Sequence, residues 1–285
     1  MNIADLSTAL HQDQYGVWVS SSAAEISYPS DGNSRCFQVE DRSYWFEHRN
    51  NVISDAVRKH SCDTQNSKLD FIDIGGGNGF VSERLEADGH NVVLLEPGPE
   101  GALNARTQRG LSHVICATLQ DAKIKPRSFD AAGAFDVIEH IEDDDDFVSN
   151  IASIIKPKGI FVATLPAHQW LWSQKDIDAG HFRRYNESSF LSLVAPFFEP
   201  MQISYFFGPL VIPILILKAI PYRFGLTRQR TTEEESVEHG TAGGPITYAI
   251  RQLLSCELDK LMSGNRIQVG SSLLFVGTKR RDAAT

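Results

Sequence analysis

The stretch from Leu69 to Gly79 constrains the fold more than any other part of the chain. An apolar run, Leu69-Asp70-Phe71-Ile72, ends in Asp73, and glycines follow at alternate positions as Asp73-x-Gly75-x-Gly77-x-Gly79. This pattern reads as a buried parallel strand that turns sharply into a helix. Glycines belong where a ligand must approach the backbone more closely than a Cβ would allow. Seventeen residues after Gly79, a second apolar strand from Asn91 to Leu95 ends in Glu96. An acid at that strand tip is placed to accept the two hydroxyls of a ribose. The pair implies a nucleoside-bearing ligand lying across the carboxyl ends of two neighbouring strands. A dinucleotide fingerprint, Gly-x-Gly-x-x-Gly, would need its third glycine at position 80, which is Phe80.

Short apolar strands then alternate with amphipathic helices. Strands are expected near 69–74, 91–96, 113–116, 131–138, 159–165 and 201–207, with a last one at 271–279. Such alternation builds an α/β fold with a mostly parallel sheet covered by helices on both faces. Upstream, Tyr44, Trp45, Phe46, Val52, Ile53 and Val57 recur at helical spacing, which predicts an amphipathic helix over 41–60. Residues 1–40, broken by Pro29, Gly32 and Asn33, are expected to be poorly ordered or draped on the surface. The core unit is read as 41–207, and 271–285 as its final strand and tail. Residues 208–270 are far too long for a hairpin loop and are read as a helical insertion. Its opening, Phe206 to Ile220, is nearly all apolar, but Pro209, Pro213 and Lys218 interrupt it, and a spanning helix needs ~20 apolar residues. Three readings stand for it: a lid on the active site, a homodimer contact, or a segment dipping into a membrane surface.

Charge and cysteines narrow the partners. The net charge is −9 and no basic stripe stands out, which argues against nucleic acid as a substrate. Cys36, Cys62, Cys116 and Cys256 are scattered without a CxxC pair, as in a cytoplasmic protein with reduced thiols. The start Met1-Asn2-Ile3-Ala4-Asp5 lacks the basic and apolar regions of a signal peptide. The expectation is therefore a cytoplasmic location, with peripheral contact on the inner face of a membrane if the segment at 206–220 docks there.

Several motifs carry candidate chemistry. Phe135-Asp136-Val137-Ile138-Glu139-His140-Ile141 closes the fourth strand, where open α/β sheets bind ligands. His140 is a candidate general base, because an unperturbed imidazole titrates near neutrality; the alternative is that Glu139 and His140 only cap the next helix. The acidic run Glu142 to Asp146 reads as a helix start, where acids complement the amino-terminal dipole, ahead of a metal site. After the fifth strand, Leu165 to Tyr185 gathers Trp170, Trp172, Asp176, Asp178, His181, Arg183, Arg184 and Tyr185. His181 is the second candidate base, and Arg183 or Arg184 is suited to hold an anionic acceptor. The competing reading is an internal salt bridge in which Asp176 or Asp178 pairs with Arg183 and orders the loop.

The glycine spacing with Asp73 and Glu96, the Asp136-Val137-Ile138-Glu139-His140 segment and the Gly180-His181-x-Arg183-Arg184-Tyr185 stretch together resemble the class I S-adenosylmethionine (SAM) methyltransferases. The likeness is to the ubiquinone-biosynthesis O-methyltransferase group of small-molecule enzymes, and it covers 41 to about 207. It implies a Rossmann-like seven-stranded sheet whose last strand is antiparallel. It implies SAM as cofactor, released as S-adenosylhomocysteine, with Asp73, Gly75, Gly77, Gly79, Glu96 and Asp136 around it and Arg49 reaching its carboxylate. Thr118 and Leu119 stand where the fold contacts adenine, although the usual Gly-Asp pair is Ala117-Thr118 here. Trp170, Trp172, Asp178, Arg183, Arg184 and Tyr185 would then line the acceptor. A divalent metal is not favoured, with Glu139 and His140 as its secondary candidates. The implied reaction is methyl transfer to a small-molecule acceptor, O-methylation of a hydrophobic, lipid-linked or glycan-related metabolite first. C- or N-methylation, a non-catalytic SAM-binding partner, a protein methyltransferase and a nicotinamide-dependent oxidoreductase are the competitors.

Overall fold

In a computed structural model of the chain, residues 2–21, 32–61, 68–226 and 244–281 are described below. Cys62 lies outside them, as do parts of the segment 1–40 and of the insertion. The amino-terminal elements are α1 (Ile3–Leu6), β1 (Leu10–Gln12), β2 (Trp18–Ser20), α2 (Gly32–Val39) and α3 (Tyr44–Ser61). The core continues with β3 (Asp70–Ile74), α4 (Phe80–Ala87), β4 (Asn91–Leu95), α5 (Pro99–Thr107), β5 (Val114–Cys116), α6 (Leu119–Ala122) and β6 (Phe129–Phe135). It closes with α7 (Asp144–Ile154), β7 (Ile155–Pro166), α8 (Gln174–Asp178), α9 (Glu187–Val194) and β8 (Phe198–Phe206). A helical run follows, with α10 (Val211–Ile214), a π-helical turn (Leu215–Ala219) and α11 (Ile220–Arg223); then come α12 (Pro245–Met262) and β9 (Ser272–Lys279).

The strands form one sheet in the order β1-β2-β5-β4-β3-β6-β7-β9-β8. From β5 to β7 every pairing is parallel, and β9 runs antiparallel between β7 and β8. The sheet has nine strands where seven are expected. The two extra ones are the hairpin β1–β2, which extends the edge at β5 through Trp18↔Ile115 and Val19↔Cys116. This corrects the expectation that the described part of 1–40 lacks order. Ile3, Leu6, Leu10 and Val17 are buried, and Asp13 Oδ1 accepts from the Tyr15 and Val17 amides, both at 2.9 Å. Strands of three residues are too short to show a period, so the sequence hides them.

Both faces of the sheet are covered, as a parallel sheet demands. Along β7, Phe161 and Ala163 point into one apolar cluster with Ile72, Ile74 and Val93, while Ile160 and Val162 point into another with Phe71, Val92 and Val57 of α3. The chain leaves β3 toward β4 and β5, then returns to β6 on β3's other side. That reversal opens a crevice at the carboxyl ends of β3 and β6. The insertion is fastened to α3. Glu257 of α12, itself buried, accepts from the Phe207 and Gly208 amides at 2.7 Å each and pairs with buried His48 of α3 at 2.9 Å.

Candidate active site

A cavity of about 670 Å³ lies at this crevice, within the size range of small-molecule sites. The turn after β3 forms one wall. Gly75, Gly77 and Gly79 all have positive φ (69°, 55° and 86°). A Cβ on Gly75 would sit 2.7 Å from Val137 Cγ2, so the turn and the β6 end fit only without a side chain there. A Cβ on Gly77 would meet nothing closer than Asn33 Oδ1 at 3.6 Å, so its backbone faces open space. Gly76 also lines the cavity, whereas Gly79 does not. Gly79 instead begins α4, where a Cβ would strike Leu111 Cδ1 at 2.7 Å.

Glu96 stands at the tip of β4 in the cavity wall. Its carboxylate is fixed by the Gly77 amide at 2.9 Å and the Gly98 amide at 2.7 Å, with Asn33 Nδ2 at 3.5 Å. Burial pushes its carboxyl up, and these donors oppose that shift. Asp73, expected at the cofactor, is buried beneath the turn and does not line the cavity. Its Oδ2 accepts from Ser82 Oγ of α4 at 2.7 Å, and burial raises its pKa to about 6. Its part is to tie the turn to the following helix. Ala117, Thr118 and Leu119 line the wall after β5, and Thr118 caps α6 by accepting from the Asp121 amide at 3.1 Å.

Arg49 of α3 enters the cavity, packs its guanidinium over Trp45 and Phe46 at 5.0 and 5.6 Å from the ring centres, and pairs with Asp136. Asp136 holds a left-handed φ of 58°, a conformation costly for a residue with a Cβ. Next to it, Glu139 is completely buried, and neither of its carboxylate oxygens has a hydrogen-bond partner among the described residues. Burial first and then the charge of Asp136 raise its carboxyl well above the usual range.

The loop after β7 supplies a second set of polar groups. Asp176 of α8, 1% exposed, accepts from His181 Nδ1 at 3.0 Å, from Arg184 Nε at 2.6 Å and Nη2 at 3.1 Å, and from the Ser173 amide at 2.8 Å. Burial works against its charge, but the His181 hydrogen bond and the Arg184 charge outweigh it and hold the carboxyl at about 2. Nε2 is the His181 nitrogen that Asp176 does not engage. His140 stands edge-on to it with ring centres 4.7 Å apart. Burial, then the charge of His181, lowers the His140 pKa to about 4, and its side chain bonds the Gly180 backbone. Glu139, His140 and His181 offer ligand atoms that all lie within 4.8 Å of one another.

The structure redistributes the acceptor-side expectations. His181, Phe182 and Arg184 line the cavity together with Ile214 and Lys218 of the insertion. Trp170, Trp172, Asp178, Arg183 and Tyr185 do not. Trp170 stacks on His168 and its carbonyl takes Arg223 Nη2 at 2.7 Å. Trp172 ends the turn Gln169–Leu171 outside the cavity. Asp178 is exposed and holds Gln174. Arg183 and Tyr185 both bind Asp144, each at 2.6 Å. The expected salt bridge does order the loop, with different members: Asp176 takes Arg184, and Arg183 turns away to Asp144. The run at 142–146 starts α7, with Asp143 accepting from the Asp146 amide at 3.1 Å. Sequence reasoning gives Asn33, beside Glu96, no role, and reads Asp176 only as an alternative partner of Arg183, not as the carboxylate behind His181. For Asp176 a signal existed, because Ser173-x-x-Asp176 has the form of a capping box.

Residues 72–163 match the family model of the methyltransferase domain. Among curated proteins, the chain is 29% identical over 118 residues to a ubiquinone biosynthesis O-methyltransferase of Rickettsia bellii, covering 40% of this chain and 48% of that protein. The chain thus spans about half the length of such curated relatives. Among solved structures it is similar to a phosphoethanolamine N-methyltransferase of Haemonchus contortus in complex with SAM, with a TM-score of 0.55 and 15% identity, covering 90% of this chain and 58% of that one. It is also similar to a SAM-dependent methyltransferase of Thermotoga maritima, with a TM-score of 0.51 and 15% identity, covering 87% and 94%.

Proposed function

We propose that this chain, which carries the class I SAM-dependent methyltransferase domain, transfers the methyl group of SAM to a hydroxyl oxygen of a small hydrophobic or lipid-linked acceptor. The observation that carries this reading is one cavity lined both by the glycine turn with Glu96 and by His181, whose Nδ1 is held by Asp176. SAM supplies an electrophilic methyl on a sulfonium. The protein has to align the acceptor and take its proton. Gly75, Gly76 and Gly77 leave the backbone open to the cofactor, Glu96 holds the ribose, and Arg49 meets the carboxylate end. On the acceptor side, His181 Nε2 takes the hydroxyl proton as the new O–CH₃ bond forms and the S–CH₃ bond breaks. Asp176 stabilises the resulting imidazolium. Arg184, already committed to Asp176, positions the base more than it binds an anion. An oxygen acceptor agrees with the activity named for the curated relatives, and the apolar Ile214 and Phe182 favour a hydrophobic one.

Glu96→Ala should weaken SAM binding by roughly 1–3 kcal/mol, the range for losing charge-assisted hydrogen bonds. Calorimetric affinity equal to wild type would remove the ribose assignment.

A second reading rests on Glu139. A fully buried carboxyl with no hydrogen-bond partner among the described residues, beside two histidines, suits a divalent cation. Glu139, His140 and His181 would hold it, and it would acidify the acceptor hydroxyl as a Lewis acid. Titration of chelator-treated protein with Mn²⁺, followed by electron paramagnetic resonance, separates the readings. Binding that Glu139→Gln abolishes supports a metal, and the absence of binding leaves His181 acting alone.

A further inference from the structure

Building on the reading that Arg49 meets the carboxylate end of SAM, we propose that Phe207, just after β8, and Glu257, of α12, are positioning residues for Arg49. Arg49 has few bonds of its own to orient it. Its Nη1 pairs with Asp136, and its Nε is buried without a hydrogen-bond partner among the described residues. A planar guanidinium held by one ion pair can still turn about that contact. Ring faces supply the remaining constraint, because Arg49 lies 5.0 Å over Trp45 and 5.6 Å over Phe46. The plane of Arg49 therefore follows the place of Trp45.

Trp45 is in turn set by Phe207. The two rings are parallel within 8°, with centres 5.4 Å apart. Trp45 and Arg49 line the cavity, whereas Phe207 is fully buried outside it. Phe207 reaches this place through a left-handed backbone, with φ 59° and ψ 38°, which is costly for a residue with a Cβ. Glu257 holds that conformation. Its Oε1 accepts from the Phe207 amide and its Oε2 from the Gly208 amide, each at 2.7 Å. Consecutive amides point to opposite sides of an extended strand, and they converge on one carboxylate only where the chain turns as it does here. His48, next to Arg49 in sequence, lies 2.9 Å from Glu257 Oε1, with its ring centre 5.0 Å from that of Phe207.

A helix that only covered the core would not need this arrangement. Apolar side chains would join α12 to α3 without a buried carboxylate and without a left-handed phenylalanine. What the arrangement adds is a fixed direction for one aromatic ring. Through Glu257, Phe207 and Trp45, the seating of α12 sets the orientation of a cationic group in the cavity. Phe207 and Glu257 touch no part of the cavity themselves and act through Trp45.

The test is calorimetry on the purified full chain with two ligands, S-adenosylhomocysteine and 5′-methylthioadenosine. The second has the same nucleoside and lacks the amino-acid end that Arg49 would meet. Phe207→Leu removes the ring at similar volume, and Glu257→Gln removes the carboxylate at the same size. Each should weaken S-adenosylhomocysteine about three- to tenfold, the range for coupling through packed side chains, and leave 5′-methylthioadenosine at its wild-type affinity. In an Arg49→Met background neither variant should weaken S-adenosylhomocysteine further, because the group they position is gone. Equal losses for both ligands would overturn the proposal by making the two residues general supports of the fold. So would wild-type affinity for S-adenosylhomocysteine in both variants, or losses that add in full to that of Arg49→Met. Arg49→Met that binds S-adenosylhomocysteine as the wild type does would overturn the reading of Arg49 itself, and this proposal with it.

Discussion

His181→Ala lowers kcat by about 10²–10⁴-fold, the usual contribution of a positioned general base, and leaves SAM affinity unchanged. The reason is geometric. His181 is the imidazole whose Nδ1 is fixed by a buried carboxylate 3.0 Å away, and that carboxylate is bound on its other sides by Arg184 and the Ser173 amide. Asp176, with its pKa near 2 against an ordinary 3.8, contributes stability that is fully present above pH 3.8 and is lost only as pH falls through 2. It therefore stays charged at any pH at which the enzyme would be assayed. Asp176→Asn keeps an acceptor for Nδ1 but removes the charge that stabilises the imidazolium. It should reduce kcat with KM for SAM unchanged, and less severely than the loss of the imidazole. His140→Ala should cost less again, because burial and the neighbouring imidazole make His140 a weak proton acceptor. Single-turnover rates with saturating SAM measure all three. Wild-type turnover in His181→Ala would transfer the proton-accepting role to His140 or to none.

Gly75→Val should remove SAM binding from the range that calorimetry can detect. The left-handed backbone costs a β-carbon ~1–2 kcal/mol, and forcing Val against Val137 adds ~1–3 kcal/mol of overpacking. That strain is relieved by moving the turn, and the turn carries the amides that face the cavity and the Gly77 amide that fixes Glu96. A control separates strain from position. Gly89 also has a positive φ, 100° against 69° at Gly75, but a Cβ there meets nothing within 4 Å. Gly89→Ala should lose a little stability and keep SAM affinity. Equal loss of binding in both variants would mean that the turn acts only through overall stability.

The cavity wall at the ends of β3, β4 and β6 was legible in the sequence because it is local. The glycine turn, Glu96 and the Asp136 segment each sit at a strand end whose apolar run announces it, and the parallel order follows from the alternation of elements. The acceptor half was legible only in composition. The loop 166–185 is dense in functional side chains, but which of Asp176 and Asp178 turns inward, and which of Arg183 and Arg184, depends on a single helical turn and on partners at Asp144 that lie over thirty residues away. Asn33 reaches Glu96 from α2 across 63 residues, a contact that no local pattern encodes. The β1–β2 hairpin was missed for a similar reason, since its stability comes from pairing with β5 and not from its own three-residue strands.

The most direct test of the central claim follows methyl-labelled SAM incubated with the protein and a lipid-containing cell extract, then partitioned between organic and aqueous phases. The expected result is label in the organic phase, dependent on His181 and Gly75. No label in either phase, from protein that binds SAM by calorimetry, would contradict it.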